Sequence, residues 1–430
     1  MNQRKKNKYN FIFLLDEHNS IDQIAPLIYV LHKNNSRITA LKCNINYNYD
    51  QDNNINYLKK YCKDVEFIEL LIGFSLIDRF KLLINKYISY YCNNKKTNWL
   101  PRKLNSLRNI FLNHLRNKFI TKKFLIDDYI DQNYHSPIII CELSYGDIIY
   151  QHIVAVLYEQ KFSIYSFNHG FDVLTNDLLG FDDLSFKKTY ENTRIGHSNA
   201  TVFFSKNSIE RYNNTDGDLM VLPSLRFSSH WINNIINRKY SYKLLHQQKD
   251  FRLKILLCMS AMCNNVWAEE QHRLIKLVGN LKGILLYIKV HPREVNLAKQ
   301  LNNEFSNFEN VIIVDNKLSS SYLIYHSDIV LIISSGIFVE ALIQGKVLFY
   351  LKYLHCNSIV LDVDNDFNDE DHVHTVNTRD ELLNLINKYS TETVNFVKTT
   401  KRSKFLEDYI LNDDFEENTK YYLNLFHNNK

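Results

Sequence analysis

The stretch ILLYIKVHPR, residues 284–293, decides the fold because it joins a buried strand to a charged exit. Its first residues are all apolar or aromatic, which is typical of a strand covered on both faces of a parallel sheet. Lys289, His291 and Arg293 follow at alternate positions, and Pro292 prevents the strand from continuing. Ligands of open α/β sheets bind where strands end, so these three side chains are candidates for a phosphate site. The alternative is a solvated basic turn.

Short apolar runs alternate with amphipathic segments on both sides of this stretch, which is the pattern of βαβ units. Strands are predicted at residues 10–15, 37–43, 65–71, 137–142, 162–167, 200–205, 253–259, 284–290, 311–314, 329–333 and 347–351. Helices are predicted at residues 21–32, 147–159, 266–280, 319–326, 338–344 and 379–388. The two series predict an α/β protein with two facing Rossmann-like domains and a ligand cleft between them.

The domain limits follow from a change of pattern in the middle of the chain. Residues 232–250 are polar and basic, have no strong period and read as a linker. We therefore expect a first domain over residues 1–235 and a second over residues 251–403. Residues 404–430 carry apolar side chains at helical spacing and are expected to pack back across the domain junction.

Composition and charge exclude several classes of protein. The net charge is only +5, with 52 Lys and Arg against 47 Asp and Glu, which argues against a nucleic-acid binder. The seven cysteines contain no C-x-x-C pair, so neither a disulfide framework nor a zinc site is expected. No apolar run approaches the ~20 residues of a membrane span, and a cytoplasmic protein is expected.

One basic segment is suited to a membrane surface. Residues 95–126 carry nine Lys and Arg and no acidic residue, with apolar side chains at helical spacing. Such a helix can lie on an anionic bilayer, which would make the protein peripheral on the inner membrane. A helix that packs its apolar side on the core and leaves its basic side in solvent is slightly favoured.

A second candidate phosphate site follows another predicted strand. Ser334, Ser335 and Gly336 open a helix, where free amides and hydroxyls bind anions and glycine permits close approach. Glu340 lies about one turn further on and could accept hydrogen bonds from ribose hydroxyls. Ser319 opens the preceding helix and offers a weaker contact. Ordinary helix caps explain the same serines equally well.

Candidate catalytic residues follow strands of the first series. Asp16 follows the first predicted strand, and Glu142 is the last residue of the strand predicted at residues 137–142. His169 precedes Gly170, whose backbone can adopt conformations that other residues avoid. The imidazole or either carboxylate could take a proton from an acceptor hydroxyl. Arg226 precedes the linker and either faces the cleft or joins the domains.

These elements, in this order, resemble bacterial GT-B-fold transferases of surface polysaccharides, namely capsule polysaccharide (Kdo-type) glycosyltransferases and CDP-glycerol glycerophosphotransferases. The resemblance covers the second domain and one loop of the first. It is carried by His169-Gly170, Lys289-Val290-His291-Pro292, Ser334-Ser335-Gly336, Glu340-Ala341-Leu342 and Gly345-Lys346. It implies that His291, Ser334 and Ser335 bind the donor's phosphate and nucleotide, and that His169 lies at the reaction centre. Ile332-Ile333 replaces the Asp-Tyr typical of glycerophosphotransferases, which disfavours that group.

The sequence therefore predicts a glycosyltransferase that moves a sugar from a nucleotide donor, preferably a CMP-sugar. The acceptor would be a glycan or lipid-linked glycan of a capsule, O-antigen or lipopolysaccharide, bound by the first domain. No metal or cofactor is expected, because the cations at 289, 291 and 293 would neutralise the leaving phosphate. A CDP-glycerol-type glycerophosphotransferase, a UDP-sugar 2-epimerase with several cleft carboxylates, and a non-catalytic scaffold remain alternatives.

Overall fold

The computed structural model describes fourteen stretches of the chain that together contain two parallel sheets. The described residues are 9–16, 18–44, 47–69, 137–142, 148–168, 198–204, 217–238, 251–260, 266–291, 294–314, 318–333, 335–355, 372–391 and 414–428. Every pairing between named strands is parallel. The predicted fold class, two Rossmann-like α/β domains, is confirmed. We call the part built on each sheet the first and the second domain.

The first sheet has seven strands. They are β1 (Asn10–Leu15), β2 (Arg37–Lys42), β3 (Glu66–Glu69), β4 (Ile138–Glu142), β5 (Ser163–Phe167), β6 (Ala200–Phe203) and β7 (Asp218–Val221). The helices of this part are α1 (His18–Lys33), α2 (Asn53–Tyr61), α3 (Ile148–Glu159) and α4 (Ser229–Ile236). The strand order β3-β2-β1-β4-β5-β6-β7 reverses between β1 and β4. Ligands of such sheets bind at the carboxyl ends of the two strands that flank the reversal.

The second sheet repeats the same plan with six strands. They are β8 (Leu253–Cys258), β9 (Ile284–Lys289), β10 (Val311–Val314), β11 (Ile329–Ile332), β12 (Val347–Leu351) and β13 (Val373–Val376). Its helices are α5 (Ala268–Gly279), α6 (Val295–Glu304), α7 (Ser320–Tyr325), α8 (Ile337–Ile343) and α9 (Arg379–Thr391). The order β10-β9-β8-β11-β12-β13 reverses between β8 and β11.

Each sheet is buried on both faces, which explains why the strands read as continuous apolar runs. Successive side chains of a strand point to opposite faces. In β1, Phe11, Phe13 and Leu15 therefore join one hydrophobic cluster, while Ile12 and Leu14 join another. β8 divides its side chains between two clusters in the same way.

A last helix, α10 (Phe415–Asn428), brings the end of the chain back to the first sheet. The ring of Phe426 lies 5.1 Å from that of Phe11 and 5.2 Å from that of Tyr165, measured between centroids. Tyr422 is buried and donates its hydroxyl to the carbonyl of Pro223 at 2.9 Å. Both ends of the described chain thus contribute to the first core. The domain limits drawn from the sequence remain a prediction.

The segment predicted as a featureless linker contains part of a helix. α4 covers Ser229–Ile236, and Ser228 caps it by accepting a hydrogen bond from the amide of Trp231. Trp231 is fully buried and fixes the helix to the first core. The sequence prediction missed α4 because a helix of eight residues shows too few repeats of an apolar period.

Candidate functional site at the carboxyl edges of the two sheets

Two buried carboxylates lie where the strand order of the first sheet reverses. Phe13 pairs with Ile140 across β1 and β4, so Leu15 is level with Glu142, and Asp16 follows immediately. Asp16 is 2% exposed and Glu142 is 1% exposed. Both were predicted as candidate catalytic residues, and the fold brings them to adjacent strand ends. Burial of two acidic side chains at the ligand-binding edge is costly without a function or strong polar contacts.

Tyrosine hydroxyls hold the backbone on both sides of these carboxylates. Tyr49 donates its hydroxyl to the carbonyls of Leu15 and Asp16, at 2.8 Å each. The amide of Glu142 donates to the hydroxyl of Tyr150 at 2.7 Å. The two acids therefore occupy fixed positions, as a proton-transfer site requires.

The thiols nearest the two acids stay protonated. Burial, together with the charge of Asp16, raises the pKa of Cys43 well above its ordinary value. Burial, together with the charge of Glu142, raises the pKa of Cys141 to about 12. A thiol with such a pKa is a poor nucleophile at neutral pH, so these cysteines act as packing residues.

The third predicted catalytic position lies just beyond the described chain. β5 pairs with β4 so that Phe167 is level with Glu142. The next residue, Asn168, is buried, and its amide donates to the carbonyl of Val202 at 3.0 Å. His169 and Gly170 lie outside the described residues, and the role of His169 stays a prediction.

At the carboxyl edge of the second sheet, the predicted donor residues are on separated strands. His291 follows β9, while Ser335 and Gly336 follow β11. β8 lies between these strands, with Ser260 just beyond its end. The two groups are therefore not at neighbouring strand ends, and roughly 10 Å, two strand spacings, separates the strands. Arg293 and Ser334 lie outside the described residues.

Lys289 does not project from the strand end as predicted. It is only 8% exposed, and its ammonium donates to the carbonyl of Leu318 at 2.5 Å. As the last residue of β9, its side chain still points to a face of the sheet, where it ties β9 to the loop before α7. Lys289 therefore anchors that loop, and its role in phosphate binding stays a prediction.

Ser319 is the N-cap of α7, and Ser335 lies one residue before Gly336, the N-cap of α8. Ser319 accepts from the amide of Tyr322 at 3.2 Å, and Ser335 accepts from the amide of Ile337 at 3.4 Å. Both are half-buried, and each hydroxyl hydrogen remains available for a ligand oxygen. The capping interpretation and the ligand interpretation are thus compatible.

Gly345 and Lys346, which carry part of the family resemblance, have a structural explanation. Gly345 has φ of +64°, and its amide donates to the carbonyl of Leu342 at 2.9 Å. The amide of Lys346 donates to the carbonyl of Ala341 at 3.0 Å. This is how a helix ends in a left-handed residue, so Gly345 terminates α8 and needs no ligand to explain it.

Glu340 is engaged within the protein, whereas the sequence suggested that it accepts from ribose. It is 4% exposed. One carboxylate oxygen accepts from the hydroxyl of Ser321 at 2.6 Å, and the other from Nη2 of Arg226 at 3.0 Å. The same Nη2 lies 2.8 Å from a carboxylate oxygen of Asp22. Burial opposes the charge of Arg226, but Asp22 and Glu340 outweigh it and raise the pKa of the guanidinium.

This contact places the carboxyl edges of the two sheets next to each other. Asp22 lies about 6 Å along α1 from its start, and Glu340 about 4.5 Å along α8. Both helices begin at the carboxyl edge of their sheets, immediately after β1 and β11. Arg226 joins them, so the two edges meet at this junction.

Sequence reasoning singled out Arg226 and Glu340 but missed Asp22 and Ser321. Asp22 and Ser321 lie inside helices, where a polar residue usually faces solvent, and no local pattern distinguishes them. Only the contacts of Asp22 with Arg226 and of Ser321 with Glu340 reveal their role.

The described residues include neither a cluster of metal ligands nor a helix that could span a membrane. No group of three or more His, Cys, Asp or Glu among them is arranged to hold a metal ion. No helix within the described part of the chain combines the length and apolar character that crossing a bilayer requires. The basic segment 95–126 lies outside the described residues.

No family model and no curated protein sequence matches the chain, but solved structures do. The UDP-GlcNAc 2-epimerase of Neisseria meningitidis, bound to UDP-GlcNAc, aligns with a TM-score of 0.55 at 12% identity over 97% of this chain and 100% of that one. The Methanocaldococcus jannaschii enzyme, with UDP-GlcNAc and UDP, gives 0.53 at 12% identity over 97% and 99%. A further UDP-N-acetylglucosamine 2-epimerase gives 0.58 at 12% identity over 98% and 96%.

At this identity the alignments show the fold, from end to end of both chains. The chain has the GT-B-type architecture of these nucleotide-sugar enzymes. The resemblance to capsule and teichoic-acid transferases stays a resemblance of motifs.

Proposed function

We propose that the chain is an enzyme that binds a UDP-sugar between the carboxyl edges of its two sheets and epimerises the sugar at carbon 2. Several solved structures that align over nearly its whole length are UDP-GlcNAc 2-epimerases, and two of these contain UDP-GlcNAc. A UDP-sugar therefore replaces the CMP-sugar that the sequence favoured.

The pair of buried carboxylates, Asp16 and Glu142, carries this proposal. The electron pair of the C2–H bond is accepted as the C1–O bond to UDP breaks, so one group removes the proton while UDP leaves. Re-addition of UDP, with a proton delivered to the other face of carbon 2, gives the epimer, and this calls for two acid/base groups. Transfer to an acceptor with inversion needs only one base. Two acids on adjacent strand ends fit the first requirement, with one as base and the other as acid.

We assign the diphosphate of the UDP-sugar to the second domain. His291 and the Ser335-Gly336 loop lie at the same edge, with one strand between them. Two polar groups at that separation suit an extended nucleoside diphosphate better than a single phosphate. In this proposal the imidazole, hydroxyl and amide groups hold the diphosphate, and no metal or cofactor takes part.

A thermal-shift panel with UDP, CMP and CDP-glycerol tests the donor assignment. UDP should raise the melting temperature of the wild type, and His291→Ala should lose most of that shift. His272→Ala is the matched control, because His272 lies on α5 and pairs with Glu304 at 3.3 Å. A wild type stabilised by CMP and indifferent to UDP would overturn the assignment.

Glycosyl transfer is the second candidate, favoured by the position of the His-Pro and Ser-Ser-Gly elements directly after β9 and β11. The acceptor would then be a glycan or lipid-linked glycan, held by the first domain. The two candidates differ in acceptor dependence. A transferase consumes the UDP-sugar and releases UDP only when acceptor is added, whereas an epimerase converts the UDP-sugar alone.

A further inference from the structure

A single nitrogen of Arg226 connects the two domains. Its Nη2 lies 2.8 Å from Oδ2 of Asp22, in the first domain, and 3.0 Å from Oε1 of Glu340, in the second. An Nη2 group carries two hydrogens, so it can donate one to each carboxylate. Side chains of all three residues are mostly buried, at 17%, 18% and 5% exposure.

The backbone around Arg226 is fixed by both cores. Leu225 belongs to a hydrophobic cluster of the first domain, and Phe227 to one of the second. Arg226 lies between them in the turn that follows β7 and precedes α4. Its guanidinium therefore emerges at the junction itself, and the side chain has little freedom to reach other partners.

Further hydrogen bonds extend the contact on the side of the first domain. Oδ1 of Asp22 accepts from the side-chain Nδ2 of Asn54 at 2.7 Å, and Oδ1 of Asn54 accepts from Nη1 of Arg238 at 2.7 Å. The guanidinium of Arg238 lies 4.2 Å from the centre of the Tyr57 ring. The orientation of Asp22 is thus set by α2 as well as by Arg226.

On the side of the second domain, Glu340 is held between two partners. Ser321 donates to its second oxygen at 2.6 Å, which links α7 to α8. The first turn of α8 is joined to the loop before it, because the amide of Phe338 donates to the carbonyl of Ser335 at 3.3 Å. A displacement of Glu340 would therefore move the Ser335-Gly336 loop.

The charges explain why the link depends on the arginine. Two carboxylates lie within 3.0 Å of one nitrogen, so they would repel each other strongly in a partly buried site without the guanidinium. Lysine would keep the charge but lacks the planar fork. Loss of Arg226 should therefore separate the two domains.

We propose that Arg226 is a positioning residue that sets the distance between the acid/base pair of the first domain and the donor loop of the second. It acts through Asp22, six residues after Asp16, and through Glu340, five residues after Ser335. The catalytic part of this inference rests on the proposed function. The mechanical part, a guanidinium link that holds the two carboxyl edges together, does not.

The mechanical part is tested by solution X-ray scattering of Arg226→Met, Arg226→Lys and wild type, with and without UDP. Arg226→Met should give a larger radius of gyration, and Arg226→Lys an intermediate one. Arg379→Met is the matched control, since Arg379 pairs with Glu270 inside the second domain. If Arg226→Met fails to fold, Asp22→Asn/Arg226→Met, which lacks one of the two repelling acids, takes its place. A scattering curve identical to that of wild type for the folded methionine variant of Arg226 would overturn the link.

The catalytic part is tested by steady-state kinetics with the UDP-sugar that the wild type converts. Arg226→Met should lower kcat about 10- to 100-fold, the size expected when reacting groups shift by ~1 Å, and leave UDP affinity within about threefold. Arg226→Lys should recover part of kcat. An unchanged kcat together with an altered radius of gyration would overturn the positioning role of Arg226 and leave the guanidinium link intact. A wild type that converts no UDP-sugar would reject the proposed function, and the scattering result would still test the link.

Discussion

At the scale of the residue, chemical type separates buried side chains that can exchange protons from buried side chains that only fill space. Asp16 and Glu142 are buried at strand ends of the first sheet, the edge at which ligands of such sheets bind. Cys43 and Cys141 lie beside them with raised pKa values and remain neutral thiols. The same edge thus offers carboxylates for acid–base chemistry and no activated thiol among the described residues.

Replacing either acid by its amide should remove activity but preserve binding. Asp16→Asn and Glu142→Gln keep the side-chain size and remove the group that exchanges a proton. We expect kcat to fall about 10²- to 10⁴-fold in each variant, the usual contribution of a general acid or base. UDP affinity, measured by calorimetry, should stay near that of wild type.

Asp50→Asn is the control for this pair, because Asp50 is exposed and pairs with Lys59 at 2.9 Å. Its kcat should match wild type. Retention of full activity by both amide variants would exclude Asp16 and Glu142 from the chemistry.

The buried thiol of Cys258 makes the free energy of unfolding depend on pH in the alkaline range. Burial is the main cause that raises the pKa of Cys258 from 9.0 to about 12. The unfolded thiol ionises near pH 9 while the folded one stays protonated, so its stabilising effect is full below that pH and is lost as pH rises toward 12. Between about pH 8 and about pH 10.5, the free energy of unfolding should fall less in Cys258→Ala than in wild type. Equal decreases of the free energy of unfolding in the two proteins, measured by urea titration at each pH, would contradict this prediction.

Single residues also mark the limit of inference from sequence. His291 and Ser335 were predicted at the carboxyl edge, because a polar residue directly after an apolar run has few other places to lie. The contacts of Lys289 with Leu318 and of Glu340 with Ser321 and Arg226 were not predicted, since a sequence does not show which way a side chain turns. Asp22 carried no signal at all, because its partner comes from a distant part of the chain.

At the scale of the element, strands made of apolar runs are the most predictable features. β1, β10 and β12 have the predicted limits, because an apolar run marks both ends of a parallel strand. β7 and β13 were missed, since their sequences, DLMV and VHTV, are short and interrupted by polar residues. Elements with few repeats of a pattern are stabilised by tertiary packing, which the local sequence does not encode.

The packing of α10 predicts a large effect of a distant substitution. Phe426 is buried against Phe11 and Tyr165, so Phe426→Ala should lower the free energy of unfolding by about 3–5 kcal/mol. Tyr421→Ala is the control, because Tyr421 is 45% exposed on the same helix, and a change within about 0.5 kcal/mol is expected. Equal losses in urea titrations of the two variants would contradict the described packing.

At the scale of the whole molecule, the two sheets repeat one topology and meet at their carboxyl edges. The repetition was predictable, because alternating apolar runs and amphipathic helices specify doubly wound sheets. The contact between the edges was not, since it depends on Asp22, Arg226 and Glu340. This contact brings the buried acids of one sheet toward the donor loop of the other, and the proposed chemistry depends on it.

Proton NMR of UDP-GlcNAc incubated with the chain in D2O, without acceptor, tests the proposed chemistry most directly. Removal and return of a proton at carbon 2 predicts loss of the proton signal at that carbon and growth of the 2-epimer's signals. Both changes should be absent with Asp16→Asn or Glu142→Gln. A UDP-sugar that binds, yet keeps its proton and its configuration until an acceptor is added, would contradict epimerisation and leave glycosyl transfer in its place.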